Sequence, residues 1–168
     1  MILIIPGTID DIAIIQEVNS KIWPETYSAI LSSDQIAYML EMMYSTAALQ
    51  QQINDGHYFI LAKDENNRVL GFAAYSLIDK EVFKLHKLYV LPNLHGKGVA
   101  KELLDYITND IRFMGAKALD LNVNCYNYRA KAFYDKHGFK VLREEDIAIG
   151  HGYYMNDYYM RLYLDDLH

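Results

Sequence analysis

Residues 88–104 read LYVLPNLHGKGVAKELL, and this stretch sets the order of the elements around it. The apolar run before Pro92 is typical of a strand that ends at the proline. Gly96 and Gly98 then precede apolar residues at helical spacing, which predicts a helix that begins near Gly98. The first N–H groups of a helix have no partner inside it, and with the helix dipole they favour an anion. The stretch therefore predicts an anion site, or a simple turn in which the glycines serve only backbone geometry.

Two nucleotide-binding motifs fit this stretch poorly. A Walker A loop needs a Lys and then a Ser or Thr after its last glycine. Here the last glycine, Gly98, is followed by Val99, so no hydroxyl group is placed for magnesium. A Rossmann fingerprint needs a third glycine in the first βαβ unit, but Lys101 occupies that position and several strands precede it. A pyrophosphate held by backbone amides, with Lys97 and Lys101 nearby, fits the residues better.

The charge distribution also points to an anionic ligand. The chain has a formal net charge of −6, which argues against general nucleic-acid binding. The segment from Lys84 to Lys101 nevertheless holds four lysines and no acid, so it carries a local positive field on an acidic protein. The alternative is a chance cluster of lysines on a solvated face.

Length and composition predict one domain in the cytoplasm. A chain of 168 residues is ordinary for a single core. No apolar run approaches the roughly 20 residues that a membrane span needs, and the first residues carry no basic leader. A single cysteine, Cys125, gives no internal disulfide and no cysteine metal cluster.

The hydrophobic period alternates between helical and strand-like, which predicts one mixed α/β domain. We expect Thr8 and Asp11 to cap the first helix and Trp23-Pro24 to stop it. The other expected helices begin at Ser33-Asp34, Thr46, Val99 and Asn127. The expected strands are 2–5, 58–62, 69–78, 82–90, 118–123, 139–142 and 153–164.

Two blocks in the second half of the chain match the motifs of one known family. The first is His95-Gly96-Lys97-Gly98-Val99-Ala100, which is similar to [QR]-x-x-G-x-[GA] except that histidine takes the first position. The second runs from Asn127 to Phe139 and meets every specified position of N-x-x-A-x-x-F-Y-x-K-x-G-F. Together they resemble the Gcn5-related N-acetyltransferase (GNAT) family. The resemblance covers residues 58–164 well, whereas residues 1–57 show no strict motif.

The resemblance implies a fold and a co-substrate. It implies a single N-acetyltransferase domain over residues 1–168, with a helical acceptor-side segment at 1–57 and an acetyl-CoA-binding core at 58–164. The implied sheet is mostly antiparallel, flanked by helices, and splayed between its fourth and fifth strands, where the pantetheine arm of acetyl-CoA lies without any metal. The residues implied to bind acetyl-CoA are Leu88, Tyr89, Val90, His95, Gly96, Lys97, Gly98, Val99, Ala100, Lys101, Asn127, Arg129 and Lys136.

The resemblance also implies direct transfer of the acetyl group to an amine. Tyr134 matches the family tyrosine that protonates the departing CoA thiolate, a role that suits a phenol. Many members carry a glutamate base where this chain has Lys84, which is charged near neutral pH and cannot accept a proton. We expect His86 to share a strand face with Lys84 and Leu88 and to act as the base. A water chain is the alternative, and Glu81 is a weaker candidate.

In the family, the first helices and the last hairpin line the acceptor pocket. Here Trp23, Glu25 and Tyr27 belong to a WPETY stretch that is similar to bacterial polyamine (spermidine/spermine) acetyltransferases. Acids and aromatics suit a small cationic amine such as a polyamine. The alternatives are a peptide or protein amine as acceptor, a weakly catalytic acyl-CoA sensor, and a purely structural role for Trp23 and Tyr27. Family members are often dimers, so the resemblance allows a homodimer.

Overall fold

A computed structural model describes residues 1–165, which contain seven strands in one sheet. The strands are β1 (Leu3–Gly7), β2 (Tyr58–Lys63), β3 (Val69–Asp79), β4 (Val82–Val90), β5 (Ala118–Asn124), β6 (Lys140–Gly150) and β7 (Tyr153–Tyr163). Their order is β1-β2-β3-β4-β5-β7-β6, and the β4–β5 pair is parallel while the other pairs are antiparallel. The expected mixed α/β class and mostly antiparallel sheet are confirmed. The last residues of the expected domain, 166–168, lie outside the described part.

Helices cover both faces of the sheet. They are α1 (Ile12–Tyr27), α2 (Ser33–Tyr44), α3 (Thr46–Asn54), α4 (Val99–Phe113) and α5 (Tyr128–Lys136). On one face, α4 buries Leu103, Ile107 and Ile111, which recur every four residues along the helix, in what we call the α4-side core. On the other face, α1 to α3 bury apolar side chains in the α1-side core. No helix within residues 1–165 is both long and apolar enough to cross a membrane.

The first helix continues past its expected stop at Trp23-Pro24. Thr8 and Asp11 form the expected capping box, with the Thr8 N–H donating to Asp11 Oδ2 at 2.8 Å, but it caps a short 3-10 helix (Ile9–Asp11) that leads into α1. However, α1 includes Pro24, whose carbonyl still accepts a helical hydrogen bond at 3.1 Å. The expectation was wrong because proline removes a single helical donor, whereas the continued helix buries Trp23 and Tyr27 in the α1-side core.

The sixth strand is longer than the sequence predicts. We expect a strand over 139–142, but β6 runs to Gly150 and pairs with β7 as far as Tyr153. The acidic run Glu144–Asp146 lacks the apolar alternation of a strand, so no strand signal is present there. These acids are tolerated because β6 is an edge strand with exposed side chains.

The split between β4 and β5 that the resemblance implies is present. The two strands pair only from Val82↔Ala118 to Leu85↔Leu121. Beyond that point β4 stays on β3 as far as Val90, and β5 stays on β7 as far as Asn124. The open wedge between them leaves strand edges that an extended ligand can pair with.

A β-bulge at His86 changes which side chains of β4 share a face. The pairing with β3 shifts between Leu85 and Lys87, so His86 is an extra residue in the ladder. As a result, Leu85 and Leu88 both pack on the α4-side core, while Lys87 lies over rings of the α1-side core. The expectation that Lys84, His86 and Leu88 share a face is wrong, because alternation does not continue through a bulge.

Candidate active site

The glycine turn after β4 opens α4 with free amide groups. Gly96 (φ 81°) and Gly98 (φ 86°) both have left-handed backbone, which other residues rarely adopt. The Glu102 N–H donates to the Gly98 carbonyl at 3.1 Å and starts the hydrogen-bond ladder of α4. The amides of Val99 to Lys101 precede that ladder, and the helix dipole favours an anion at this end. The turn therefore has the geometry expected of an anion site.

The cations around this turn differ in how free their charges are. Arg129 Nη1 lies 2.7 Å from His95 Nδ1, and burial together with the Arg129 charge lowers the pKa of His95. His95 therefore stays neutral and holds the guanidinium beside the turn. Lys101 is exposed and forms an ion pair with Asp105 at 2.6 Å, so its charge is partly compensated. The two remaining lysines expected to bind the cofactor, both exposed, are Lys97 and Lys136.

The pantetheine-side residues lie along the open wedge. Leu88, Tyr89 and Val90 all follow the last β4–β5 pair, so β5 does not cover this part of the strand. Asn127 caps α5, with its Oδ1 accepting a hydrogen bond from the Ala130 N–H at 3.3 Å. The cap uses only the Oδ1 atom, and the Asn127 side chain also forms a hydrogen bond with Tyr27; a second N–H of the Nδ2 group can still be donated to a ligand.

Three tyrosines meet at the α5 end of the wedge. Tyr27 is expected to bind the acceptor, Tyr89 to bind the cofactor and Tyr134 to act in catalysis. The hydroxyl groups of Tyr27 and Tyr89 are 3.1 Å apart. Tyr134 is 7% exposed and packs edge-on against Phe139, with ring centroids 5.3 Å apart. Burial, and to a smaller extent nearby Tyr27, raise the pKa of Tyr134, so its phenol keeps its proton at neutral pH. A protonated phenol is what a general acid at this position requires.

His86 is held in an environment that disfavours a proton. Its Nε2 lies 2.6 Å from Ser76 Oγ, and its ring stacks on His57 with centroids 4.2 Å apart. Burial, followed by the neighbouring His57, lowers the pKa of His86 to about 3. A group with so low a pKa accepts protons weakly near neutral pH, which argues against the expected role of His86 as general base.

A cavity with several charged or polar side chains in its lining adjoins the wedge on the α1 side of the sheet. Its volume is about 310 Å³, and it is lined by Met43, Gln52, His57, Lys84, Leu85, His86, Lys87 and Asn122. Sequence reasoning identified only Lys84 and His86 as residues of interest here. Lys87 reaches the cavity because of the bulge, and His57 and Asn122 come from distant segments that carry no motif.

Asp157 is a buried acid of this region that sequence reasoning also missed. It is 6% exposed, and its Oδ1 has no hydrogen-bond partner within residues 1–165. Burial raises the pKa of Asp157 to about 6, against the opposing effect of Asn122. Lys84 lies 5.7 Å from the Tyr159 ring centroid, and its charge is attracted by Glu145 and Asp157. This carboxylate can bind an ammonium group or accept its proton.

The residues expected to bind the acceptor do not all lie together. Trp23 is 1% exposed and packs against the Tyr27 ring at 4.7 Å between centroids, so it is a core residue of the helix. Glu25 is exposed and lines a different, open cleft of about 460 Å³ with Arg68 and Pro92. The structure thus brings Tyr27, but not Glu25, close to Tyr134. Residues 1–165 contain no cluster of three or more His, Cys, Asp or Glu able to hold a metal ion.

Comparison with known proteins agrees with this architecture. Residues 17–139 match the model of the Acetyltransferase (GNAT) family. The chain belongs to this family. An uncharacterized N-acetyltransferase of Mycobacterium bovis is 30% identical over 143 residues, which are 85% of this chain and 91% of that protein. A spermidine N(1)-acetyltransferase of Thermoplasma acidophilum is 27% identical over 138 residues, or 80% of this chain and 85% of that protein.

Solved GNAT structures share the fold. The PaiA N-acetyltransferase from Thermoplasma acidophilum, solved in complex with coenzyme A, superposes with a TM-score of 0.80 at 26% identity, covering 96% of this chain and 98% of that one. A GCN5-related N-acetyltransferase from Rhodopseudomonas palustris gives the same TM-score, 0.80, at 18% identity, which shows the fold alone. As a GNAT member, this chain is an N-acetyltransferase.

Proposed function

We propose that this GNAT enzyme transfers the acetyl group of acetyl-CoA directly to a primary amine, with Tyr134 as the general acid. The observation that carries the proposal is the wedge between β4 and β5, which joins the free amides of α4 to the buried tyrosines around Tyr134. An elongated ligand with an anionic end and a reactive end fits such a path. The PaiA structure, 26% identical to this chain, was solved in complex with coenzyme A, which supports coenzyme A as the ligand.

The proposal divides the binding of acetyl-CoA among several of the expected cofactor residues. The amides of Val99 to Lys101 bind the pyrophosphate, with Arg129 alongside. Backbone groups of Leu88 to Val90 pair with the pantetheine amides as a neighbouring strand would. Asn127 Nδ2 donates a hydrogen bond to the same arm. Acetyl-CoA supplies the activated thioester, and no metal takes part.

The chemistry needs one proton acceptor and one proton donor. The attacking amine must first lose a proton, and the Asp157 carboxylate, with its pKa raised by burial to about 6, is largely ionised at pH 7 and can accept it directly or through water. The amine nitrogen then bonds to the acetyl carbon. As the carbon–sulfur bond breaks, Tyr134 donates its proton to the sulfur. The nitrogen loses its second proton in the same step, and that proton restores the Tyr134 phenol directly or through water. The low pKa of His86 favours Asp157 over His86 for the first step.

The acceptor that we propose from the sequence is a small cationic amine, with polyamines as the first class to test. One relative is named a spermidine N(1)-acetyltransferase, and Asp157 and Glu145 place acids near the wedge. The cavity also contains Lys84 and Lys87. The acids can therefore hold one ammonium group, while further ammonium groups of a polyamine would meet these lysines, so the panel must also contain amines that carry an anionic group.

Thiol release from acetyl-CoA tests the proposal. The panel contains polyamines, amino acids, aminoglycosides and peptide N-termini, and mass spectrometry identifies the acetylated product. We expect at least one primary amine to be acetylated. Coenzyme A binding without turnover of any amine would contradict the enzymatic proposal and favour a sensor domain, and a lack of activity on every polyamine would remove that class.

We also propose a cytoplasmic homodimer, in line with the family resemblance. Light scattering distinguishes a dimer from a single chain of 19.5 kDa. A mass of one chain at working concentration would contradict the dimer.

A further inference from the structure

Lys87 is a buried charge without a counter-ion. Its residue is 4% exposed, and its Nζ donates one hydrogen bond, to Gln52 Oε1 at 2.8 Å. The ammonium also lies 5.3 Å from the Tyr44 ring centroid and 5.7 Å from that of Phe59. Within residues 1–165 no carboxylate lies at ion-pair distance from this Nζ. Buried lysines are normally paired, so this one needs an explanation.

A second polar group of the cavity, on His57, also has an atom without a partner. His57 Nδ1 is buried and has no hydrogen-bond partner among the described residues. Burial, followed by the Lys87 charge, lowers the pKa of His57, so the ring is neutral and can present an N–H from one nitrogen. Lys84 adds a second ammonium to the lining. Donors and positive charges thus converge on a cavity large enough for a small anionic group.

Two acids, on β6 and β7, act on Lys84. Asp157, with its unpartnered Oδ1, and Glu145, which accepts a hydrogen bond from Asn122 Nδ2 at 3.1 Å, are the carboxylates whose charges act on Lys84 most strongly. The region is therefore bipolar, with an acidic part beside β7 and a basic part around Lys87. A ligand with an ammonium group and an anionic group matches both parts, whereas a ligand with only positive charges matches one.

We propose that the cavity around Lys87 binds a carboxylate or phosphate group carried by the acceptor amine. The substrates are then amines of the amino-acid or aminoalkyl-phosphate type. This inference rests on the proposed acetyl transfer and names the acceptor class for the same site. Lys87 and His57 donate to the anion, Lys84 separates the two charged parts, and Asp157 receives the ammonium group.

Matched acceptor pairs test the inference. Each pair differs by one anionic group: L-lysine with cadaverine, L-ornithine with putrescine, and phosphoethanolamine with ethanolamine. In at least one pair we expect the anionic member to have a kcat/KM at least about 10-fold higher, the size expected for a hydrogen bond to a charged group. The first two pairs report a carboxylate and the third a phosphate. If the member without the anionic group were preferred, or if neither member were preferred, in all three pairs, the inference would be overturned.

A variant links the preference to Lys87. Lys87→Met removes the charge and keeps the unbranched stem, and we expect it to lower the kcat/KM ratio within the preferred pair by about 10-fold or more. The matched control is Lys80→Met, an exposed lysine in the β3–β4 turn, which should keep the wild-type ratio. An unchanged ratio in Lys87→Met would overturn the role of Lys87, while acetyl transfer itself would stand.

A binding measurement covers the case in which no amine is acetylated. Acetate and inorganic phosphate are titrated into the CoA-bound protein, and the lysine side-chain ¹³Cε signals are followed by NMR. A saturable shift of the signal that disappears in Lys87→Met supports the anion site even if acetyl transfer fails. No shift of that signal with either anion would overturn the site.

Discussion

Replacing Lys87 with methionine is expected to stabilise the protein near neutral pH. Burial lowers the pKa of Lys87 from 10.5 to about 8, and its residue is 4% exposed. The unfolded chain therefore binds this proton more tightly than the folded chain does. Since stability rises with pH wherever the unfolded state binds more protons, the contribution of Lys87 improves between about pH 8 and 10.5. Below that window the charge destabilises the fold by about 3 kcal/mol.

Methionine fills the same space without a charge. At pH 7, Lys87→Met should gain most of those 3 kcal/mol, less about 1 kcal/mol for the lost contacts with Gln52 and the Tyr44 and Phe59 rings. At pH 10 the wild-type lysine is mostly neutral in the fold, so the difference between the two proteins should change by about 2.5 kcal/mol over this range. The quantity to measure is the change with pH of the difference in unfolding free energy between the two proteins. Tyrosines titrate in both proteins, so their contributions cancel in this difference.

Urea unfolding of both proteins between pH 7 and pH 10 measures this difference. Lys80→Met, at an exposed lysine, is the control for removing one lysine charge from the protein. A wild-type-minus-Lys87→Met difference that is constant from pH 7 to pH 10 would refute the reasoning, because it would mean that the Lys87 charge is not destabilised by burial.

The remaining predictions concern the cofactor end of the site. Gly98→Ala adds a Cβ that meets nothing within 4 Å, so its effect comes from the strain of a left-handed backbone, about 1–2 kcal/mol. This strain corresponds to a fall of about 10-fold in coenzyme A affinity, which calorimetry measures. An unchanged affinity would argue against a role for this turn. Arg129→Met should weaken coenzyme A binding about 5- to 10-fold and reduce its salt dependence. Lys101→Met should change the affinity less than about 2-fold, because Asp105 already pairs with this lysine; equal losses in the two variants would contradict this ranking.

The sequence predicted the features that depend on local signals. Three features depend only on residues that are neighbours in the sequence: the glycine turn at Gly98, the capping box at Thr8 and the strands of the β2–β4 meander. They could therefore be predicted directly. The helix through Pro24 could not, because its support comes from packing of Trp23 and Tyr27 against distant segments.

The acceptor side of the site depends on non-local pairing. Lys87 enters the cavity only because the bulge at His86 shifts the face of β4, and a bulge has no fixed sequence signature. The environment of Asp157 is formed by burial and by Asn122 and Lys84, which lie on other strands. The sequence held one weak signal for a buried acid. Side chains two apart in a strand share a face, so Asp157 lies on the same face of β7 as Met155 and Tyr159.

The kcat of Tyr134→Phe tests the central claim most directly. Phenylalanine keeps the ring that packs against Phe139 and removes only the hydroxyl group. With an accepted amine, kcat should fall about 100-fold while coenzyme A affinity stays within about 2-fold, because the proton is needed only as the carbon–sulfur bond breaks. Tyr128→Phe, 72% exposed on the same helix, should keep the wild-type rate. An unchanged kcat in Tyr134→Phe would contradict the assignment of Tyr134 as the general acid.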